Sequence, residues 1–182
     1  MPSILIPLAE GFEELEAVTV IDLLRRAGFE VVSAGLKPGP VRASRKTVIV
    51  PDATLDEAIA RDWDMVVLPG GLPGATNLNA DPRVHDILRR TAQAGRHVAA
   101  ICAAPQVLAN AGLLDNRMAT AYPGTLDAHK DRIKLASQAV VKDGKVITSM
   151  GPGTAMDFAL ELIEVLAGKE KRDAVEKPLM RR

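Results

Sequence analysis

Hydrophobic residues along this chain fall into two kinds of segment. Short aliphatic runs are typical of strands that are buried on both faces of a sheet. Longer segments in which apolar residues recur every three or four positions predict amphipathic helices. The predicted strands are Ser3–Leu8, Val31–Ala34, Met65–Leu68, His97–Ile101 and Met118–Ala121. The predicted helices are Glu13–Ala27, Thr54–Ala60, Pro82–Ala94, Val107–Ala111 and Thr154–Leu166.

The remaining segments predict hairpins, turns and a charged tail. Val41–Arg45 with Thr47–Val50 is typical of a short hairpin, and Asp143-Gly144 predicts a second hairpin between Ala139–Lys142 and Lys145–Ser149. Pro69–Gly74 is predicted as a dense turn, Pro123–Lys134 as an unassigned polar segment, and Lys169 onward as a short helix with a frayed end. Because strands alternate with helices, we expect one domain over residues 1–182, a doubly wound α/β sandwich with a mostly parallel sheet.

Composition excludes several classes of partner and location. The 23 basic and 23 acidic residues cancel, and aromatic residues make up only 3% of the chain, which argues against nucleic-acid binding. A lone cysteine cannot form an internal disulfide, which favours a reducing, cytoplasmic setting. The first residues lack the basic region of a signal peptide, and no apolar run approaches the ~20 residues of a membrane helix.

That lone cysteine is the strongest candidate for chemistry. Cys102 ends the strand His97–Ile101, is followed by Ala103 and Ala104, and precedes a predicted helix. Strand, sharp turn and helix with small neighbours form the pattern of a nucleophile elbow. The helix N-terminus is expected to lower the pKa of the thiol and favour a reactive thiolate. The alternative is that Cys102 is a small buried hydrophobic residue.

Two other segments are expected at the same edge of the sheet. Glu16 lies in the first turn of its helix, where a carboxylate also stabilises the helix dipole without further purpose. Near a thiolate and partly desolvated, Glu16 is expected to have a raised pKa and to donate a hydrogen bond to sulfur. The backbone N–H groups of Gly71 and Ala103 are candidate oxyanion donors, although Gly70-Gly71 is also an ordinary turn.

Other polar clusters favour structural interpretations. Gly151–Thr154 is typical of a turn with a helix cap, and Asp127–Asp131 of a solvated loop rather than a metal site. His85 and His97 occupy positions away from the predicted site. We therefore expect no metal ion and no organic cofactor.

Several motifs together resemble the ThiJ/PfpI superfamily, in the clade of the parkinsonism-associated deglycase and bacterial YajL. They are Glu13–Glu16, Arg25–Gly28, Val67–Gly71, Ala99–Pro105 and Gly151–Thr154. The resemblance implies a flavodoxin-like homodimer in which Cys102 is the nucleophile, Glu16 its protonated partner, and Gly71 and Ala103 the oxyanion donors. It also implies action on glyoxal, methylglyoxal and their protein or nucleotide adducts, as a deglycase or glutathione-independent glyoxalase.

Three positions depart from the family pattern. Tyr122 stands where the human member has histidine, Met150 where it has arginine, and Ala104 where glycine is common. Tyrosine, with a pKa of about 10, is a poor general base, so an amidase or intracellular peptidase would depend on His129. A further alternative is a redox sensor or chaperone in which Cys102 becomes a sulfinate.

Overall fold

A seven-stranded sheet forms the centre of the computed structural model, which describes residues 1–181, in the order β10-β11-β7-β6-β1-β2-β5. All neighbouring strands are parallel except β10 and β11, which form the predicted antiparallel hairpin. The strands of this sheet are β1 (Ser3–Leu8), β2 (Glu30–Gly35), β5 (Ala53–Thr54), β6 (Met65–Leu68), β7 (His97–Ile101), β10 (Val140–Asp143) and β11 (Val146–Ser149). Two small additional sheets pair β3 (Val41–Arg42) with β4 (Val48–Ile49), and β8 (Met118–Ala119) with β9 (Lys134–Leu135).

Helices cover both faces of the central sheet. They are α1 (Glu14–Arg26), α2 (Leu55–Ala58), α3 (Leu72–Ala80), α4 (Pro82–Gln93), α5 (Pro105–Asn110), α6 (Ala155–Ala167) and α7 (Lys169–Glu176). In β1, Ile4 and Ile6 pack in the cluster that contains residues of α1 and α6, whereas Leu5 packs with residues of α2, α4 and α5. Because successive strand side chains point to opposite faces, this central strand is aliphatic throughout. The predicted doubly wound α/β sandwich is confirmed.

Helix α3 is the principal difference from the sequence prediction, which placed only a dense turn over Pro69–Gly74. Proline and glycine have low helix propensity, but proline is tolerated in a first helical turn. A Cβ on Gly74 would lie 2.6 Å from the Cα of Phe12, and the Gly74 N–H donates to the Gly11 carbonyl at 3.1 Å. The glycine thus permits close packing of α3 on the loop after β1.

Smaller differences concern element boundaries and short pairings. Strand β5, which pairs with β2 at the edge of the sheet, was not predicted, and the start of α6 is preceded by a 3₁₀ turn at Pro152–Thr154. The unassigned polar segment contains a 3₁₀ turn, Asp127–His129, and the start of β9. In residues 1–181 no helix combines the length and apolar character needed to cross a membrane.

Candidate active site

The carboxyl ends of three neighbouring parallel strands bring the predicted site residues together. Strand β6 lies between β1 and β7, so the loops that follow Leu8, Leu68 and Ile101 leave the same edge of the sheet. Ligand crevices of doubly wound sheets lie at this edge. The first loop leads into α1 with Glu16, the second contains Gly70 and Gly71, and the third begins at Cys102.

Cys102 has the backbone conformation of a sharp turn. Its φ of 65° is in the left-handed region, which is uncommon for a residue with a side chain and costs roughly 1–3 kcal/mol. Two long-range hydrogen bonds hold it: the Cys102 N–H donates to the Ser149 carbonyl at 2.9 Å, and the Tyr122 N–H donates to the Cys102 carbonyl at 2.8 Å. The predicted strand–turn–helix geometry is therefore present, and β11 and the segment after β8 support it.

Glu16 is completely buried, with 0% of its surface exposed. Its Oε2 accepts a hydrogen bond from the Gly70 N–H at 2.7 Å, whereas its Oε1 is buried without a hydrogen-bond partner within residues 1–181. Burial raises the pKa of Glu16 to about 7, against the opposing effects of the Gly70 N–H and of Cys102. A buried carboxyl oxygen without a donor favours the protonated form. The raised pKa predicted for this residue is confirmed.

The pKa of the Cys102 thiol differs from the sequence prediction. Burial and the adjacent Glu16 carboxylate raise the pKa of Cys102 to about 12, whereas the N–H groups of Gly71 and Ala103 lower it. The lowered pKa expected from the helix N-terminus is wrong, because desolvation and the Glu16 carboxylate outweigh the two N–H groups and the start of a six-residue helix. A proton on Glu16 removes the contribution of its charge and leaves desolvation opposed by the N–H groups of Gly71 and Ala103.

The two glycines after β6 are required because neighbouring loops approach their Cα atoms closely. A Cβ on Gly70 would lie 2.6 Å from the Cβ of Cys102 and 2.7 Å from Oε2 of Glu16. Gly71 has a φ of 85°, and its Cβ would lie 2.5 Å from the Gly11 carbonyl oxygen. Any side chain at these positions would separate the three loops. The loop is thus more than an ordinary turn, since it packs directly between the thiol and the carboxyl.

The other acidic residues of the first turn of α1 have a structural role. Oε2 of Glu13 accepts a hydrogen bond from the Ser44 hydroxyl at 2.9 Å. Burial acts to raise the pKa of Glu14, but hydrogen bonds from its own N–H, from Arg45, Thr47 and Ser44 lower it to about 2. These contacts fasten the β3–β4 hairpin to the start of α1 and keep Glu14 ionised.

Sequence reasoning missed the hydroxyl pair beside the nucleophile. Ser149 is fully buried, its Oγ donates to the Ala139 carbonyl at 2.8 Å and lies 2.6 Å from Oγ1 of Thr154. This pair orients the end of β11, whose Ser149 carbonyl holds the Cys102 N–H. The sequence indicated Thr154 only as part of a turn with a helix cap, whereas its hydroxyl bonds to Ser149 and to the Gly151 carbonyl.

Two features lie outside this constellation. Nδ1 of His129 is 3.0 Å from Nη2 of Arg132 in an exposed turn. The histidine that a peptidase would need is therefore engaged in a surface contact.

A cavity of about 780 Å³ lies among the ends of β1 and β2 and the start of α4, and contains none of the four predicted site residues.

Comparison with known proteins agrees with this geometry. The DJ-1/PfpI family model matches residues 2–165. Drosophila melanogaster DJ-1beta is 44% identical over 98% of this chain and 96% of its own length, and its crystal structure has a TM-score of 0.96, covering 100% of this chain and 98% of that one. The Caenorhabditis elegans glutathione-independent glyoxalase DJR-1.2 is 36% identical over 97% of this chain and 94% of its own length.

A second solved structure, oxidized Toxoplasma gondii DJ-1, has a TM-score of 0.94 at 37% identity and covers 99% of this chain and 98% of that one. The family match spans most of the chain, and relatives above 30% identity cover nearly all of it. The strand–turn–helix at Cys102 and the buried carboxyl beside it occur within the matched residues. This chain belongs to the DJ-1/PfpI family.

Proposed function

We propose that this protein is a cysteine-dependent glyoxalase and deglycase acting on glyoxal, methylglyoxal and their protein or nucleotide adducts. The observation that carries the proposal is the fully buried Glu16, whose Oε1 has no partner within residues 1–181, beside a thiol that receives two N–H groups. Loss of one proton from the Cys102–Glu16 pair gives an anion in which thiol with carboxylate is the major form and thiolate with neutral acid the minor one; the minor form is the proposed attacking species. A relative is named a glutathione-independent glyoxalase, which supports this class of reaction.

The reaction begins with addition of the thiolate to the aldehyde carbon. A C–S bond forms, the carbonyl π electrons move to oxygen, and the resulting oxyanion is held by the N–H groups of Gly71 and Ala103. Glu16 donates its proton to this oxygen, which yields a hemithioacetal and a carboxylate.

Proton transfer and hydrolysis complete the reaction. The Glu16 carboxylate removes the proton from the former aldehyde carbon, which gives an enediol, and returns it to the neighbouring carbon. The hydroxyl proton moves from the first oxygen to the second, so that the hemithioacetal of methylglyoxal becomes a thioester of lactate. Water then adds to the thioester, the C–S bond breaks, and lactate and the thiol are released. The net change is methylglyoxal plus water to lactate; glyoxal gives glycolate. No oxidant, reductant or glutathione enters this balance.

Adducts on amines or nucleotides are proposed to react at the equivalent carbon. In an aminocarbinol the carbon that carries hydroxyl and nitrogen replaces the aldehyde carbon. The thiolate forms a C–S bond to it as the C–N bond breaks, Glu16 gives its proton to the departing amine, and the same hemithioacetal remains on Cys102. Assembly as a homodimer and a cytoplasmic location remain predictions from the resemblance and from cysteine usage.

The experiment that tests the proposal is conversion of methylglyoxal to lactate without glutathione. We expect the purified protein to form lactate in proportion to enzyme and to lose this activity on alkylation of its single cysteine. Lactate is measured by chromatography, because disappearance of methylglyoxal alone also reports reversible adducts with lysine and arginine. Absence of lactate, with the folded state verified by circular dichroism, would overturn the proposal.

A second candidate function is a redox sensor. One relative has been solved as oxidized DJ-1, and in this chain burial raises the pKa of Glu16, which supports a proposed hydrogen bond from the protonated carboxyl to an oxidised Cys102. Peroxide would add two oxygens to the sulfur and be reduced to water in two steps.

Under mild peroxide we expect Cys102 to gain two oxygen atoms and stop there, because the Glu16 O–H stabilises the sulfinate. Intact-protein mass spectrometry followed by peptide mapping measures this product, and Glu16→Gln is the matched variant. Resistance of Cys102 to peroxide, or equal oxidation to the sulfonate in both proteins, would exclude the sensor.

A further inference from the structure

Two large apolar side chains are exposed on segments that adjoin the site. Tyr122 is 53% exposed and Leu72 is 64% exposed, although both are of types that soluble proteins tend to bury. Their backbones belong to the site: Leu72 directly follows Gly71, and the Tyr122 N–H donates to the Cys102 carbonyl at 2.8 Å. We call these two side chains the apolar rim.

The ring of Tyr122 is positioned by the loop after β11. A Cβ on Gly151 would lie 3.5 Å from Cδ2 of Tyr122, so the ring lies close over this glycine and a side chain there would contact it. The same loop starts at Ser149, whose carbonyl accepts the Cys102 N–H. The Tyr122 ring is therefore held on one side by a segment that is itself bonded to the nucleophile.

The rim differs in chemistry from the groups behind it. Glu16 and the N–H groups of Gly71 and Ala103 act on the reacting carbonyl, whereas an aromatic ring and an aliphatic side chain offer only apolar contact to whatever that carbonyl carries. An aromatic substituent could contact the Tyr122 ring in an offset or edge-to-face arrangement.

We propose that Tyr122, assisted by Leu72, is a specificity-determining residue that makes the site favour 2-oxo electrophiles with an aromatic or bulky apolar substituent over those with a methyl group. This inference rests on the proposed function for its substrate class. The preference itself, faster reaction of an aryl ketone than of a methyl ketone with Cys102, can be measured without turnover.

Alkylation of Cys102 tests the inference without catalysis. 2-Bromoacetophenone and bromoacetone carry a phenyl and a methyl group on the same reactive unit; in each, the thiolate forms a C–S bond as the C–Br bond breaks and bromide leaves. Because the chain has one cysteine, the alkylation that is lost in Cys102→Ser reports on Cys102 alone. The ratio of the two rate constants is divided by the same ratio for N-acetylcysteine to remove intrinsic reactivity.

We expect a normalised ratio of about 3 to 10 in the natural protein, in keeping with one aromatic contact. Tyr122→Ala should bring it close to unity, Leu72→Ala should lower it by a smaller factor, and Tyr122→Phe should retain it. The control is Leu135→Ala, which removes another exposed leucine, from β9. None of these changes removes the backbone N–H of Tyr122, so the hydrogen bond to Cys102 is kept.

A normalised ratio near unity in the natural protein, or an unchanged ratio in Tyr122→Ala, would overturn the inference. The parallel assay compares lactate from methylglyoxal with mandelate from phenylglyoxal. If neither acid forms while the alkylation ratio follows Tyr122, the proposed function fails and the apolar preference stands. If both acids form and their ratio is the same in the natural protein and in Tyr122→Ala, the proposed function stands and the apolar preference fails.

Discussion

Replacement of Cys102 by serine is expected to lower lactate formation from methylglyoxal by roughly 10³-fold or more. A thiolate is the attacking species in the proposed reaction, and a serine hydroxyl next to Glu16 lacks a base strong enough to ionise it. Serine differs from cysteine by one atom, so the left-handed turn at residue 102 and its bonds to Ser149 and Tyr122 should persist.

The measurement is lactate per enzyme at saturating methylglyoxal, with thermal unfolding of both proteins as the control for folding. Full activity in Cys102→Ser would show that the thiol is not the nucleophile, because no other cysteine could substitute for it. If Cys102→Ser loses activity and also unfolds at a much lower temperature, the nucleophile is assigned from Cys102→Ala instead, which removes the hydrogen-bonding group as well.

Replacement of Glu16 by glutamine is expected to lower turnover by about 10²-fold or more, since an amide can neither donate nor remove the reacting proton. The amide oxygen can still accept the Gly70 N–H, so this change separates proton transfer from position. Because the pKa of Glu16 is raised to about 7, the activity of the natural protein should rise with pH through this value as the pair becomes an anion. Glu16→Gln should lack this pH-dependent rise.

The same substitution has an effect on stability whose sign follows from the pKa. The folded-state pKa of Glu16, about 7, lies above the ordinary value of 4.5. The protonated carboxyl therefore makes a contribution to the free energy of unfolding that is fully present below pH 4.5 and is lost as pH rises through 7. Relative to the natural protein, Glu16→Gln should therefore gain about 3 kcal/mol of unfolding free energy between these limits. Urea unfolding at pH 5, 6, 7 and 7.5 measures the difference.

Glu14→Gln is the matched control, because Glu14 lies in the same helical turn and its pKa is shifted the other way, to about 2. Its stabilising contribution is present above the ordinary pKa of 4.5 and is lost as pH falls toward 2. Glu14→Gln should accordingly be less stable than the natural protein at neutral pH, with the difference shrinking in acid. If the Glu16→Gln difference is independent of pH, the buried carboxyl does not titrate near 7 in the folded protein.

Local sequence signals were sufficient for elements in which all residues favour the same secondary structure. The aliphatic runs of β1, β6 and β7, and the acidic start and basic end of α1, predict their structures from neighbours in the chain alone. Helix α3 escaped prediction because Gly74 opposes a helix locally. Close packing of Gly74 on Phe12, a residue far away in sequence, and burial of Leu78 in the core favour the helix in the folded protein.

The sequence by itself determined the alternation of strands and helices, and hence the sheet edge where Glu16, Gly71, Cys102 and Ala103 gather, because parallel strands joined by helices end on one side. Only the tertiary structure decided the electrostatics of that edge. The burial of Glu16 and its unpartnered Oε1 result from three loops meeting, as does the raised pKa of Cys102 that the helix N-terminus alone would have lowered. Desolvation depends on everything packed around a group, so no stretch of neighbouring residues encodes it.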